Sequence, residues 1–276
     1  MPELPEVETV RRSLMLLVKD KIIKSVDIYH NNIIEYPSLE EFKLNIVNQK
    51  INKIERYGKW LIFVLDNYYL LSHLRMEGKY FLKTIKEPLY KHEHVIFNFT
   101  DDTNLRYMDV RKFGKMHLIS KEDITKIGPL IDMGLEPWDS KLDSTYLKNK
   151  YQNKKLPIKT TLLDQSIIVG IGNIYADEIL FLSKINPLKK SSTLNDEELN
   201  SIIKYTKEVL EKAIEKGGSS IRSYTSVDGV HGLFQQELYV HTKKGKKCKD
   251  CDTIIEKTKV GGRGTYYCPK CQNLTK

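Results

Sequence analysis

The chain has no run of about 18 apolar residues, so no membrane-spanning helix is expected. Its first residues, Met1-Pro2-Glu3-Leu4-Pro5-Glu6, carry acids where a secretory leader would carry bases ahead of an apolar stretch. A cytoplasmic protein is therefore expected. Cysteine is absent from the first 247 residues, which excludes a disulfide framework for most of the chain. No internal repeat and no low-complexity segment is present. With 40% apolar and 29% charged residues in 276, disorder is not the default, and the length accommodates two domains with sizeable cores.

The four cysteines, Cys248, Cys251, Cys268 and Cys271, form two Cys-x-x-Cys pairs with sixteen residues between them. In a reducing compartment this spacing points to one tetrahedral, structural zinc in a β-hairpin ribbon, because four thiolates leave no coordination position for water. The net charge of +9 suggests a polyanionic partner, and its location sharpens that. Residues 241–276 hold ten Lys and Arg against three Asp and Glu, so the basic end coincides with the ribbon.

At the other end, removal of Met1 would leave Pro2 as a secondary-amine terminus. An α-amino group titrates near ~8 and a lysine near ~10.4, so far more of it is neutral and nucleophilic at pH 7. Glu3 adds a carboxyl group able to protonate a ring or leaving oxygen if burial raises its pKa. The plain alternative is an ordinary helix start, since Pro and Glu both suit a first turn and Val7, Val10, Leu14, Leu17 and Val18 have helical spacing.

Short strands are expected at Lys21–Tyr29, Lys50–Arg56, Trp60–Leu65, Tyr68–Leu74, Lys79–Leu82, His94–Phe99, Asn104–Asp109 and Lys115–Ile119. Asp66-Asn67 and Asp101-Asp102 read as hairpin loops, and the pattern suggests an antiparallel sandwich or barrel. Ser38 and Glu41 form a capping box for one intervening helix. Two glycines and two prolines between Gly128 and Trp138 mark a domain boundary. Helices are expected at Ser144–Tyr151, Ile158–Leu163, Tyr175–Leu182 and Asp196–Lys216, the last stopped by Gly217-Gly218. The aperiodic segment 217–234 is the length of a functional loop.

Several motifs admit two readings each. Gly170-Ile-Gly-Asn-Ile-Tyr can present first-turn amides to an anion, or be a tight turn with Asn173 as N-cap. Met76, in His73-Leu-Arg-Met-Glu-Gly78, and Arg111 and Phe113, in Asp109-Val-Arg-Lys-Phe-Gly114, can be wedges for stacked DNA or core residues. Lys59 can be a proton carrier, a phosphate contact or a solvated side chain. Arg263, in Gly261-Gly-Arg-Gly-Thr265, can grip a phosphate or cap a solvated hairpin tip.

The combination is more telling than its parts: Pro-Glu-Leu-Pro-Glu-Val-Glu-Thr, Asp-Val-Arg-Lys-Phe-Gly, Gly-Ile-Gly-Asn-Ile-Tyr and the four-cysteine ribbon occur in that order. From Met1 to the last cysteine pair the chain resembles the bacterial formamidopyrimidine-DNA glycosylases of the Fpg/Nei family. The resemblance implies an α+β chain with an N-terminal helix on an antiparallel β-sandwich (1–130), then a helix-two-turn-helix domain (138–234) whose loop 217–234 covers the lesion, then a zinc ribbon (235–276), with DNA in the cleft between. It implies a glycosylase that removes oxidised purines such as 8-oxoguanine and formamidopyrimidines from duplex DNA and then nicks the strand by β- and δ-elimination. Pro2 would form a Schiff base, Glu3 would act as proton donor, and Lys59 and Arg263 would serve proton donation or phosphate stabilisation. Met76, Arg111 and Phe113 would fill the vacated stack, with Arg111 reading the opposite cytosine. His92, Lys154, Lys159 and Asn173 would contact phosphates, and Glu178 would lie near the site. No nucleotide cofactor, no membrane and a nucleoid-associated monomer are the further expectations. Leu4, where the endonuclease VIII branch carries glycine, and the loop 217–234 favour the purine enzyme; Val110 departs from the proline many relatives have. The alternatives are an endonuclease VIII-like enzyme for oxidised pyrimidines, or a non-catalytic module that binds damaged DNA.

Overall fold

Helix α1 (Leu4–Val18) follows the expected apolar stripe, with Val7, Val10, Leu14 and Val18 all buried. In this computed structural model, which describes residues 1–219 and 232–274, the chain divides into two units. The first comprises Met1–Asp132 with residues 217–219 and 232.

After α1 the first unit runs β1 (Ile23–Ile28), β2 (Ile34–Tyr36), α2 (Leu39–Ile46), β3 (Lys53–Tyr57), β4 (Trp60–Val64), β5 (Tyr68–His73), β6 (Lys79–Thr84), β7 (Glu93–Phe99), β8 (Thr103–Met108) and β9 (Lys115–Ser120). One sheet has the order β1-β7-β8-β6 and the other β2-β9-β5-β4-β3. Val26, Phe97 and Leu105 from the first sheet share one core with Ile54, Phe63, Leu70 and Leu118 from the second, and α1 and α2 add Val10, Leu14, Phe42 and Ile46. Helix α1 lies against β3 and β4. This is the expected helix on a two-sheet sandwich. One pairing departs from the antiparallel expectation: β2 runs parallel to β9. A strand of three residues followed by Pro37 is too short for any alternation to reveal it.

The second unit, Met133–Lys216 with Leu233 onward, contains α3 (Ser144–Tyr151), α4 (Ile158–Leu162), α5 (Asn173–Leu182), α6 (Asp196–Glu215), β10 (Glu256–Val260) and β11 (Arg263–Tyr267). Caps define two of the helix starts. The Asp143 side chain accepts from Tyr146 N at 2.7 Å, and Asn195 and Glu198 cap α6 reciprocally. Between α4 and α5 the Gln165 amide closes the double turn, donating to Leu163 O and Ile171 O and accepting from Gly170 N. Gly170 has φ +90°, a conformation that favours glycine. The N-cap of α5 is Gly172, not Asn173; Asn173 is the first helical residue and its side chain is engaged elsewhere.

The ribbon lies lengthwise along α5. Near its tip, Asn173 Nδ2 at the start of α5 donates to Gly264 O at 3.1 Å. At its cysteine end, Gln272 Nε2 donates to Ile185 O and Asn186 Nδ2 donates to Gln272 O, just beyond the end of α5. Phe181, Val240, Ile255, Cys248 and Cys268 form a small apolar core between them.

Candidate active site and nucleic-acid interface

The sequence places an acid-rich segment at the helix start, and the structure buries it. Pro2, Glu3 and Glu6 are all buried, whereas Met1 is 44% exposed. Glu6 Oε2 accepts from Glu3 N at 2.8 Å, tying the backbone of the catalytic candidate to the first turn. Glu6 Oε1 accepts from Ser219 N at 2.7 Å and from the Ser219 hydroxyl at 3.2 Å. Gly218 has φ +81°, and a Cβ there would press on the Glu6 carboxylate. Glu6 therefore fixes the root of segment 217–234, whose central part, 220–231, lies outside the described residues; the expected lesion-covering loop falls largely there. With Met1 in place, burial holds the terminal amine below the usual α-amino pKa; Glu3 and Glu6 oppose that shift and Lys59 adds to it.

Lys59 reaches this neighbourhood from the β3–β4 hairpin. Tyr57 pairs with Trp60, which leaves Gly58-Lys59 as a two-residue turn with Gly58 at φ +55°. Arg56 donates to Gly58 O at 3.0 Å and to Glu8 on α1 at 3.3 Å, so the turn is braced against the helix that starts at Glu3. The Lys59 side chain is buried, which removes the solvated reading.

The two wedge motifs form two loops. In the first, Gly78 N donates to Leu74 O, Arg75 takes φ +52°, and Met76 is half-buried. Arg75 N donates to His73 Nδ1, which requires an unprotonated acceptor nitrogen; burial, with Arg75 and Lys59 nearby, lowers the His73 pKa to about 3 and keeps it neutral. The second loop is built on Asp109, fully buried, which accepts from Arg111 N, Phe113 N, Gly114 N and the Tyr107 hydroxyl. Its backbone carbonyl accepts from His94 Nε2 at 3.0 Å, and its N–H donates to the carbonyl of His92, which has φ +79°. Arg111 and Phe113 are thereby left exposed, the guanidinium 4.7 Å from the Phe113 ring centroid. An exposed aromatic and arginine on a rigid loop is not a core arrangement.

In the second unit Gly261 and Gly262, at φ +54° and +79°, form a two-residue turn that only glycines fill without strain. Arg263 follows it, exposed, as the first residue of β11. Lys154 is half-exposed and paired with Asp164 at 2.6 Å. Lys159 requires a correction: it is fully buried, with Nζ on Asp177 Oδ1 at 2.5 Å and Asn173 O at 2.9 Å, so it does not face a phosphate. Asp177 Oδ2 in turn meets His241 Nδ1 at 2.6 Å. Glu178 has a structural task of its own. It accepts from the backbone N–H groups of Tyr239, Val240 and His241 and holds the chain entering the ribbon; burial raises its pKa against those three bonds. Asp109, Glu6, Asp177 and His241 organise these groups, and a place inside or near the motifs is the only signal the sequence gives of that role.

The four cysteine Sγ atoms lie within 4.8 Å of one another, with Cys251 and Cys268 at 3.4 Å and Cys248 and Cys271 at 3.9 Å. A tetrahedral zinc with sulfur ligands at ~2.3 Å needs sulfurs about 3.8 Å apart, so the donor set and spacing fit zinc. Burial pushes the Cys268 and Cys271 pKa values up, while hydrogen bonds with Thr253 lower that of Cys251 to about 6.

Comparison with known proteins accounts for this arrangement along nearly the whole chain. Residues 1–116 match the formamidopyrimidine-DNA glycosylase N-terminal domain, residues 133–225 that family's H2TH domain, and residues 245–274 the zinc finger found in FPG and IleRS. Formamidopyrimidine-DNA glycosylases of Shouchella clausii and Bacillus subtilis are 50% and 49% identical over 273 residues, covering 99% of this chain and of each relative. Among solved structures, a Lactococcus lactis FPG mutant in complex with a Fapy-dG containing DNA has a TM-score of 0.91 at 41% identity, covering 99% of this chain and 100% of that one. A MutM in complex with carbocyclic 8-oxo-G containing DNA has the same TM-score at 40% identity, with the same coverage. Sequence over the full length and structure agree, and the chain belongs to the formamidopyrimidine-DNA glycosylase family.

Proposed function

We propose that the chain is a bifunctional glycosylase and abasic-site lyase of base excision repair that acts on oxidised purines in duplex DNA. The observation that carries this reading is the burial of Glu3 and Lys59 around an amino terminus whose proton affinity is depressed. A neutral amine beside a carboxyl group and an ammonium is what imine chemistry on a sugar requires. Among the DNA ligands of the relatives, Fapy-dG and carbocyclic 8-oxo-G support the oxidised-purine class, and an abasic site supports the lyase step.

Once Met1 is removed, the Pro2 nitrogen attacks C1′ of the flipped nucleotide, the bond from C1′ to the base breaks with its electron pair leaving on the base, and the proton shed by the Pro2 nitrogen neutralises the departing base. Glu3 protonates the ring oxygen, the sugar opens, and Pro2 and C1′ remain joined as an iminium. The iminium acidifies the neighbouring C–H bonds, so that the 3′ and then the 5′ phosphate depart by β- and δ-elimination. Lys59 is assigned to proton transfer in these steps and Arg263 to the charge of a departing phosphate. Met76, Arg111 and Phe113 fill the space the flipped nucleotide leaves, with Arg111 facing the opposite cytosine. His92, Lys154 and Asn173 are assigned to phosphates. Zinc, held by Cys248, Cys251, Cys268 and Cys271, has a structural role in the ribbon that presents Arg263.

The test is borohydride trapping on a duplex carrying 8-oxoguanine opposite cytosine, with the adduct located by peptide mass. An adduct on Pro2 is expected. Strand cleavage without it would transfer the nucleophile to another amine such as Lys59, and neither cleavage nor adduct from protein with a free Pro2 amine would leave only a DNA-binding module.

A further inference from the structure

The three side chains assigned to the vacated stack come from two loops, and both loops cross between the sheets. Residues 74–78 lead from β5 in one sheet to β6 in the other, and residues 109–114 return from β8 to β9. Something must set Met76 on the first loop in register with Arg111 and Phe113 on the second. Tyr107, fully buried near the end of β8, occupies that place. A Cβ added to Gly78 or to Gly114 would collide with the Tyr107 hydroxyl in either case. Neither glycine has φ in the left-handed region, so close approach, not backbone freedom, accounts for both: at Gly114 it is the phenol alone, and at Gly78 the phenol together with the Leu74 carbonyl. The same hydroxyl donates to Asp109 Oδ2 at 3.3 Å, and that oxygen accepts from Phe113 N at 2.9 Å and Gly114 N at 2.8 Å. The ring itself is seated against Tyr80, 5.2 Å between centroids, and Tyr80 is fixed by its bond to the Ser72 hydroxyl at 2.7 Å.

We propose that Tyr107 is a positioning residue for base flipping: its hydroxyl is the common stop against which both loops close, so that Met76, Arg111 and Phe113 enter the stack as one wedge. The inference rests on the gap-filling role assigned above. A wedge whose parts move independently still touches DNA but replaces a stacked, paired nucleotide poorly. The loss should therefore appear only where a nucleotide has to be replaced and its partner read.

Tyr107→Phe keeps the ring and removes the hydroxyl. Single-turnover excision of 8-oxoguanine opposite cytosine is expected to slow about tenfold, the rate equivalent of one buried hydrogen bond, and discrimination against adenine as the opposite base is expected to narrow. On a duplex with the lesion opposite a one-nucleotide gap, where no partner stays stacked, the rate should remain within about twofold of the parent. Gly114→Ala, which fills the hydroxyl's place from the other side, should give the same selective loss. Equal slowing on both substrates, or none on either, would overturn the inference alone. A parent protein inactive on both would overturn the glycosylase reading and the inference with it.

Discussion

Asp109→Asn tests the framework of the recognition loop most directly. The carboxylate is fully buried and accepts four hydrogen bonds, one on Oδ1 from Arg111 N and three on Oδ2 from Phe113 N, Gly114 N and the Tyr107 hydroxyl. Asparagine keeps a single acceptor oxygen. If that oxygen faces Phe113 and Gly114, the amide NH2 confronts Arg111 N, and two donors meet where a donor and an acceptor stood. One hydrogen bond to a charged acceptor, worth about 1.5–3 kcal/mol, is lost, and the three that survive weaken because their acceptor is neutral. The expected cost is about 2–4 kcal/mol of local stability. Amide hydrogen exchange on peptides spanning 109–116 should accelerate accordingly, with strands β4 and β5 unaffected, and excision from paired duplex should fall with it. Unchanged exchange in 109–116, or a stability change under about 0.5 kcal/mol, would show that the Asp109 bonds do not hold the loop.

Other expectations follow from the same geometry. Lys159→Met removes one partner of a fully buried ion pair and should cost about 3–5 kcal/mol in denaturant unfolding while leaving the salt dependence of DNA binding unchanged; a slope shallower by about 0.9 at intact stability would restore a phosphate role. Zinc chelation should abolish exchange protection in β10 and β11 and leave the β-sandwich protected, and persistence of ribbon protection would separate the cysteines from a structural metal. The trapping rate should rise with pH as the terminal amine loses its proton and level off once it is neutral. Because burial lowers that pKa, and Pro2 is more buried than Met1, the inflection is expected below pH 8; an inflection at or above pH 8 would count against a desolvated nucleophile.

Elements that announce themselves through local chemistry were legible before any coordinates. The hairpin loops at Asp66-Asn67 and Asp101-Asp102, the capping box at Ser38, the stripe of α1 and the paired cysteines all depend on residues within a few positions of one another. Side chains whose meaning is set by distant partners were not legible. Glu6 meets Ser219 across 213 positions, and His241 meets Asp177 across 64, so the sequence shows the polar groups without showing which of them pair. Lys159 illustrates the consequence. A lysine two residues after Pro157 in a basic, DNA-binding chain looks like a phosphate ligand, and only its burial beside Asp177 shows that its charge is already compensated. Asn173 suits an N-cap by residue type, yet Gly172 takes that place while the Asn173 amide bonds to the ribbon.

The attachment of the ribbon along α5 has a mechanical consequence. An isolated two-stranded hairpin is a cantilever: fixed at one end, it bends freely at the other, and an arginine at its tip would sample a wide arc. Here the span is supported twice, by Asn173 under Gly264 and by Ile185 and Asn186 under Gln272. A beam held at both ends is far stiffer than one held at a single end, so the backbone that carries Arg263 is tied to α5. A change in the turn between α4 and α5 that displaces Asn173 is therefore expected to reach Arg263 from a distance, by shifting the pier on which the tip rests.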